Sequence, residues 1–253
     1  MAEVTLECRN LVKTFGGVRA IDDLSVTFEA GRITALIGPN GAGKTTLFHL
    51  ITGALRPDAG EILYRERRID HLPPWRIAQL GIGRLFQDVR VFNKLTVLEN
   101  VLVAFRGQSG ENPLNSLLRR SAINRQERAN VEEARRRLDF VGLGGLSAAR
   151  GEDLSHGQQK LLALARLLAA DADVFLLDEP TSGVNPEMVD TLLDLIRRLA
   201  GEGKTVVVIE HNMDVVMEIA NWVYFMDEGE IVAFGLPDEI LGDREVRAAY
   251  LGL

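Results

Sequence analysis

One run, Gly38-Pro39-Asn40-Gly41-Ala42-Gly43-Lys44-Thr45, limits what this chain can fold into more than any other stretch. It satisfies the spacing G-x-x-x-x-G-K-[ST] at each fixed position. An apolar strand-like run, residues 32–37, precedes it, and a helical pattern over 46–54 follows with Leu47, Leu50 and Ile51 on one face. Strand, glycine loop and helix in that order turn successive backbone N–H groups inward, where phosphate oxygens can sit. The positive end of the helix adds to the attraction. Gly38 to Thr45, with Thr46 opening the helix, are therefore candidate nucleotide-binding residues. Lys44 supplies a compact charge for the outer phosphates, and the Thr45 hydroxyl is a candidate ligand for Mg²⁺.

The flanking texture predicts an α/β fold. Val4, Leu6 and Cys8 alternate along a strand over 4–11, a turn carrying Phe15 is expected over 13–17, and a second alternating strand over 24–28. A turn over 56–60 closes the first helix, a short strand follows over 61–64, a proline-led helix over 75–80, and a strand over 82–86 that ends at Gln87. From 88 to 153 the alternation stops. Residues 98–105 read as helix and 107–113 as a polar loop. Val131, Ala134, Leu138 and Val141 mark an amphipathic helix whose other face carries Arg135, Arg136 and Arg137. This stretch is expected to be a helical lobe inserted into the α/β lobe. Strand and helix texture then returns: strands over 174–177 and 205–209, a helix over 186–199, a hairpin of 222–226 and 230–234 about Gly229, and short helices over 238–241 and 245–251.

Composition narrows the function classes. The net charge of −7 argues against a nucleic-acid grip driven by overall charge, and no nucleic-acid partner is expected. Cys8 is the single cysteine, so no internal disulfide forms and a reducing compartment suits the chain. Residues 1–3 lead straight into a strand, so no export signal is expected. The richest apolar run, 161–170, carries Arg166 in its middle, so the chain is not expected to cross a membrane by itself.

The second half of a nucleotide site lies at other strand ends. Asp178 and Glu179 follow the apolar run 174–177. In an open parallel sheet ligands gather at the carboxyl ends of the strands. Asp178 fits a carboxylate for Mg²⁺, and Glu179 could polarise a water for attack on the γ-phosphate. His211 ends the strand 205–209 and would lie at the same edge, within reach of the γ-phosphate; Gln87 could reach the metal or the attacking water. Leu154-Ser155-His156-Gly157-Gln158-Gln159-Lys160 opens a further apolar helix, with Ser155 as its cap. That gives two helix starts of the phosphate-binding type for one nucleotide. Either the second is capping alone, or it serves a nucleotide held by another copy, which predicts a head-to-tail pair.

Phosphate loop, Gln87, Leu154-Ser155-His156-Gly157-Gln158, Asp178-Glu179 and His211 occur in the order of the ATP-binding cassette (ABC) ATPases, which the chain resembles along essentially its whole length. The resemblance implies a RecA-like P-loop NTPase lobe (1–87 and 154–253) with a parallel core sheet and an N-terminal antiparallel β part, plus the helical lobe (88–153), together one nucleotide-binding domain. It implies ATP and Mg²⁺ as cofactors, a sandwich dimer in which Ser155, Gly157 and Gln158 touch the partner's γ-phosphate, and Phe15 stacked on adenine. Lys44, Gln87, Glu179 and His211 become the catalytic set, and Thr45, Gln87 and Asp178 the metal set. Two departures stand out: His156 replaces the first glycine of Leu-Ser-Gly-Gly-Gln, and Asn185 stands where most members carry Asp. These, with 33–53, 95–104, Gly183-Val184-Asn185-Pro186 and Ala249-Tyr250-Leu251-Gly252, are similar to the ATPase subunit of branched-chain (hydrophobic) amino acid importers. That branch implies a homodimer or a paralogous heterodimer, two membrane permease subunits, an extracytoplasmic binding protein in the same complex, and a peripheral place on the cytoplasmic face of the membrane. The alternatives are the ATPase of an exporter or lipopolysaccharide-type extractor, a soluble ABC ATPase that remodels other complexes, and a small-molecule kinase on the same loop.

Overall fold

The computed structural model describes residues 3–107, 120–243 and 246. The expected helix 245–251, most of the loop 107–113 and the tail motif 249–252 lie outside the described residues, Gly107 and Val246 apart. The described chain divides into two compact units. The first takes Met1–Gln87, Asp173–Ser182 and Val189–Leu253, and the second Asp88–Ala172 and Gly183–Met188.

In the first unit, β1 (Val4–Phe15), β2 (Val18–Glu29), β4 (Ala59–Tyr64) and β5 (Arg67–Arg68) form an antiparallel sheet in the order β2-β1-β4-β5. The turn predicted over 13–17 is shorter. Pairs Lys13–Ile21, Thr14–Arg19 and Phe15–Val18 carry β1 through the aromatic, and only Gly16-Gly17, both at positive φ, make the bend. The second sheet holds β3 (Ile33–Ile37), β6 (Ile82–Leu85), β7 (Val174–Asp178), β8 (Thr205–Ile209), β9 (Trp222–Asp227) and β10 (Glu230–Gly235) in the order β10-β9-β3-β8-β7-β6. All its pairings are parallel except the β9–β10 hairpin. Every residue of β3, β7 and β8 is buried, which is why each reads as a continuous apolar run.

Alternation sorts these strands onto two cores. Leu36, Val207, Tyr224 and Met226 join one core with Phe28, Ile62 and the buried face of α1 (Lys44–Ile51), including Leu47 and Phe48. Ala35, Ile37, Val223 and Phe225 face the opposite core with Val216 of α7 (Met213–Ile219) and Ile240 of α8 (Pro237–Gly242). Each fully buried side chain of this size contributes about 1.5–3 kcal/mol. α2 (Pro74–Leu80) precedes β6, and α6 (Pro186–Gly201) crosses from one unit's residues to the other's.

The second unit is helical: α3 (Val97–Leu102), α4 (Arg120–Phe140) and α5 (His156–Ala169). α3 packs on both α4 and α5, and α5 also packs on α4. α5 therefore groups with the helical unit, where the sequence reading begins the α/β lobe at 154. Buried Asn100 organises the entry to α3: its Oδ1 accepts from Phe92 N, and its amide donates to the carbonyls of Phe92, Leu95 and Thr96.

Candidate nucleotide site

Parallel pairing brings four strand ends to one sheet edge. Register places Leu36 opposite Ile209, Ile209 opposite Asp178, and Leu177 opposite Leu85. The loop after β3, Gln87 after β6, Asp178-Glu179 at the end of β7 and Glu210-His211 after β8 all leave the sheet on that side.

The loop needs glycine for space as well as for backbone freedom. Gly38 sits at φ 147, and a Cβ there would lie 1.9 Å from the carbonyl oxygen of Met226; at Gly43, φ 101, it would lie 2.4 Å from that of Ala20. Lys44 is buried, and its Nζ donates to the carbonyls of Gly38 (2.7 Å) and Pro39 (2.8 Å), bracing the loop from within. Burial pulls its ammonium below the usual lysine range, opposed by Glu179, Asp178 and Asp227. Asn40, Gly41 and Thr45 are exposed at the mouth, Pro39 and Thr46 are half-buried, and Ala42 is buried.

Glu179 is held from two sides. Gln87 Nε2 donates to its Oε2 at 3.0 Å, and His211 Nε2 lies 3.0 Å from its Oε1. Its backbone occupies the left-handed region, φ 47, at the turn where Ser182 N donates back to Glu179 O. Two neighbours were not assigned from sequence. Arg84 of β6 donates Nη2 to Asp178 Oδ2 at 2.6 Å, with both side chains buried. Glu210, 3% exposed, accepts from Thr181 N (3.1 Å) and Thr181 Oγ1 (2.8 Å) with the same oxygen. The signal for Arg84 was a charge inside a short apolar strand, Ile82-Gly83-Arg84-Leu85; for Glu210 it was a carboxylate directly after five buried residues. His49 of α1 feels burial first and then Arg84, both lowering its pKa, with Asp178 opposing.

Phe15 is 45% exposed at the end of β1, outside the core, with Lys13 Nζ 5.5 Å from its ring centroid. Ser155, Gly157 and Gln158 belong to the second unit. Ser155 caps α5 in a full capping box: Gln158 N donates to Ser155 Oγ (3.3 Å) and Ser155 N to Gln158 Oε1 (2.9 Å). Gly157 is buried against Met188, whose Cγ an added Cβ would meet at 2.4 Å. His156 is exposed and packs beside Gly183, and Asn185 Oδ1 accepts from Met188 N at 2.9 Å, capping α6. Asn185 thus keeps a capping role open to Asp as well. Among the described residues no helix is long and apolar enough to cross a membrane.

Loop, carboxylates and amide at one sheet edge form a set chemically able to take a polyphosphate with a carboxylate beside it. A family model described as ABC transporter matches residues 21–182. The chain belongs to the ABC transporter family and is an ATPase of the ATP-binding cassette type. Over 253 residues it is 37% identical to the high-affinity branched-chain amino acid transport ATP-binding protein LivG of Salmonella typhimurium strain LT2, covering 100% of this chain and 99% of LivG. The corresponding protein BraF of Pseudomonas aeruginosa strain PAO1 is also 37% identical, with the same coverage. A nucleotide-free ATP-binding cassette from an ABC transporter superposes with a TM-score of 0.85 at 34% identity, over 99% of this chain and 100% of that one. A dimeric cassette in a post-hydrolysis state, bound to ADP and Pi, matches with a TM-score of 0.75 at 25% identity, over 92% and 98% of the two chains.

Proposed function

We propose that the chain is the ATP-hydrolysing motor of a branched-chain amino acid importer, seated on the cytoplasmic face of the membrane against two permease subunits. Gly38 to Thr46 wrap the phosphates, Lys44 turns from its loop carbonyls to the outer phosphates, and Phe15 stacks on adenine. Thr45, Asp178 and Gln87 offer hydroxyl, carboxylate and amide oxygens, a hard donor set that fits Mg²⁺. Gln87 spends its amide N–H on Glu179, which leaves its carbonyl as the end suited to a metal. Bound there, Mg²⁺ would supply positive charge against the phosphate oxygens. Glu179 takes a proton from the attacking water, and His211 keeps that carboxylate oriented.

Glu179, clamped between Gln87 and His211 at the edge that carries the phosphate loop, is the observation that carries this reading. Ser155, Gly157 and Gln158 complete the site of a second cassette, the same chain or a paralogue, in a dimer. The full-length resemblance to LivG and BraF supports the cargo class. The test is reconstitution with candidate permeases and a leucine-binding protein in liposomes. ATP-dependent leucine uptake that disappears with Glu179→Gln supports the proposal. Steady-state ATP turnover near wild type in Glu179→Gln would discredit that residue's role, and turnover without uptake of any branched-chain amino acid would discredit the cargo.

A further inference from the structure

Arg84 is costly where it stands. Its side chain is 4% exposed, and among the described residues its buried Nε and Nη1 find no hydrogen-bond partner. Buried donors left unpaired call for an explanation. The guanidinium carbon lies over two rings, 5.5 Å from the Phe48 centroid and 4.7 Å from that of Phe86. This stack fixes the fork in place and aims Nη2 at Asp178 Oδ2. Among the described residues, the other oxygen of Asp178 carries no hydrogen bond.

We propose that Arg84 is a positioning residue that restricts Asp178 to one available oxygen and thereby sets the site's preference for Mg²⁺ over Ca²⁺. The inference rests on the assignment of Asp178 as a metal carboxylate. Ca²⁺ accepts carboxylates through one oxygen or both, with six to eight ligands at about 2.3–2.6 Å, whereas Mg²⁺ requires a near-ideal octahedron at about 2.0–2.1 Å. A carboxylate with one oxygen tied to a buried guanidinium binds an ion through both oxygens only by bending or weakening that hydrogen bond. The larger ion loses an option, and the smaller ion loses nothing. Removing the guanidinium frees the carboxylate to turn and to bind through two oxygens.

The test is calorimetric binding of a non-hydrolysable ATP analogue to the full chain in EDTA, in Mg²⁺ and in Ca²⁺. For Arg84→Met the expected result is a fall of about tenfold in the Mg²⁺-to-Ca²⁺ affinity ratio, with affinity in EDTA held within about twofold. Phe86→Leu, which removes one wall of the stack and keeps the charge, is expected to lower the ratio by about threefold, and it decides the matter if Arg84→Met does not fold. An unchanged ratio in the folded variants overturns the proposal. So does an equal loss of affinity in all three conditions, which would mark Arg84 as a mere scaffold residue. Wild-type binding that gains nothing from Mg²⁺ would overturn the metal assignment itself.

Discussion

Glu210 supports the turn that carries Glu179 without belonging to it. Among the described residues, both hydrogen bonds to its side chain come from Thr181, two residues beyond Glu179, and both end on one carboxylate oxygen. Hydrogen bonds to an ionised acceptor are worth about 1.5–3 kcal/mol each, and Thr181 is half-buried, so water recovers part of the loss. Glu210→Ala should therefore cost about 3 kcal/mol, a fall of about 6–12 °C in melting midpoint for a chain of this size. Glu210→Gln keeps an oxygen in place but removes the charge that about doubles such bonds, and should cost about half as much. The kinetic effect exceeds what stability alone suggests. Glu179 sits at φ 47, a conformation that costs a non-glycine residue about 1–3 kcal/mol and persists only while its surroundings enforce it. Once Thr181 is released, the turn relaxes and Glu179 moves; a displacement near 1 Å lowers turnover by about 100-fold. The assays are thermal unfolding and steady-state ATP turnover at saturating nucleotide, with Thr181→Val closing a double-mutant cycle on the hydroxyl bond. Glu210→Ala with turnover within about twofold of wild type would refute the reasoning. So would Glu210→Gln as damaged as Glu210→Ala.

Other outcomes follow from single contacts. Gly38→Ala places a methyl 1.9 Å from a backbone carbonyl that cannot yield without moving β9, so ATP binding by calorimetry should be lost. Asp58 has a pKa below its ordinary value of 3.8, chiefly through the hydrogen bond from Lys13 and then that from Thr14 N. Its contribution is present above the unfolded value and is lost as pH falls through the folded one, so Asp58→Asn should flatten the acid limb of a stability-versus-pH curve below about pH 4. Cys8 is 1% exposed and burial pushes its thiol well up, so a thiol reagent should label it only in step with global unfolding.

Where a residue's placement is local, the sequence disclosed it. The phosphate loop carries its own spacing, and β3, β7 and β8 are apolar throughout because the sheet buries both faces. Once those strands are parallel neighbours, Gln87, Asp178, Glu179 and His211 must share an edge, which follows from chain direction alone. Roles that depend on tertiary neighbours were silent. Nothing in Ile82-Gly83-Arg84-Leu85 says that Arg84 lies over the Phe48 ring, which α1 brings to it. The extension of β1 through Phe15 depends on its pairing with β2, and α7 is a seven-residue helix too short to show a period. Likewise, α5 reads as an ordinary capped apolar helix, and its partners α3 and α4 lie upstream of any local signal.

The close approach of Met226 to Gly38 has a temporal consequence. Gly229 N also donates to Ala42 O, so the floor beneath the glycine loop comes from a hairpin encoded some distance downstream of it. On the ribosome the glycine loop emerges before the hairpin, and so without that floor. Nucleotide capacity should appear abruptly, when β9 slides in beside β3, which spares the cell a half-made motor that sequesters ATP.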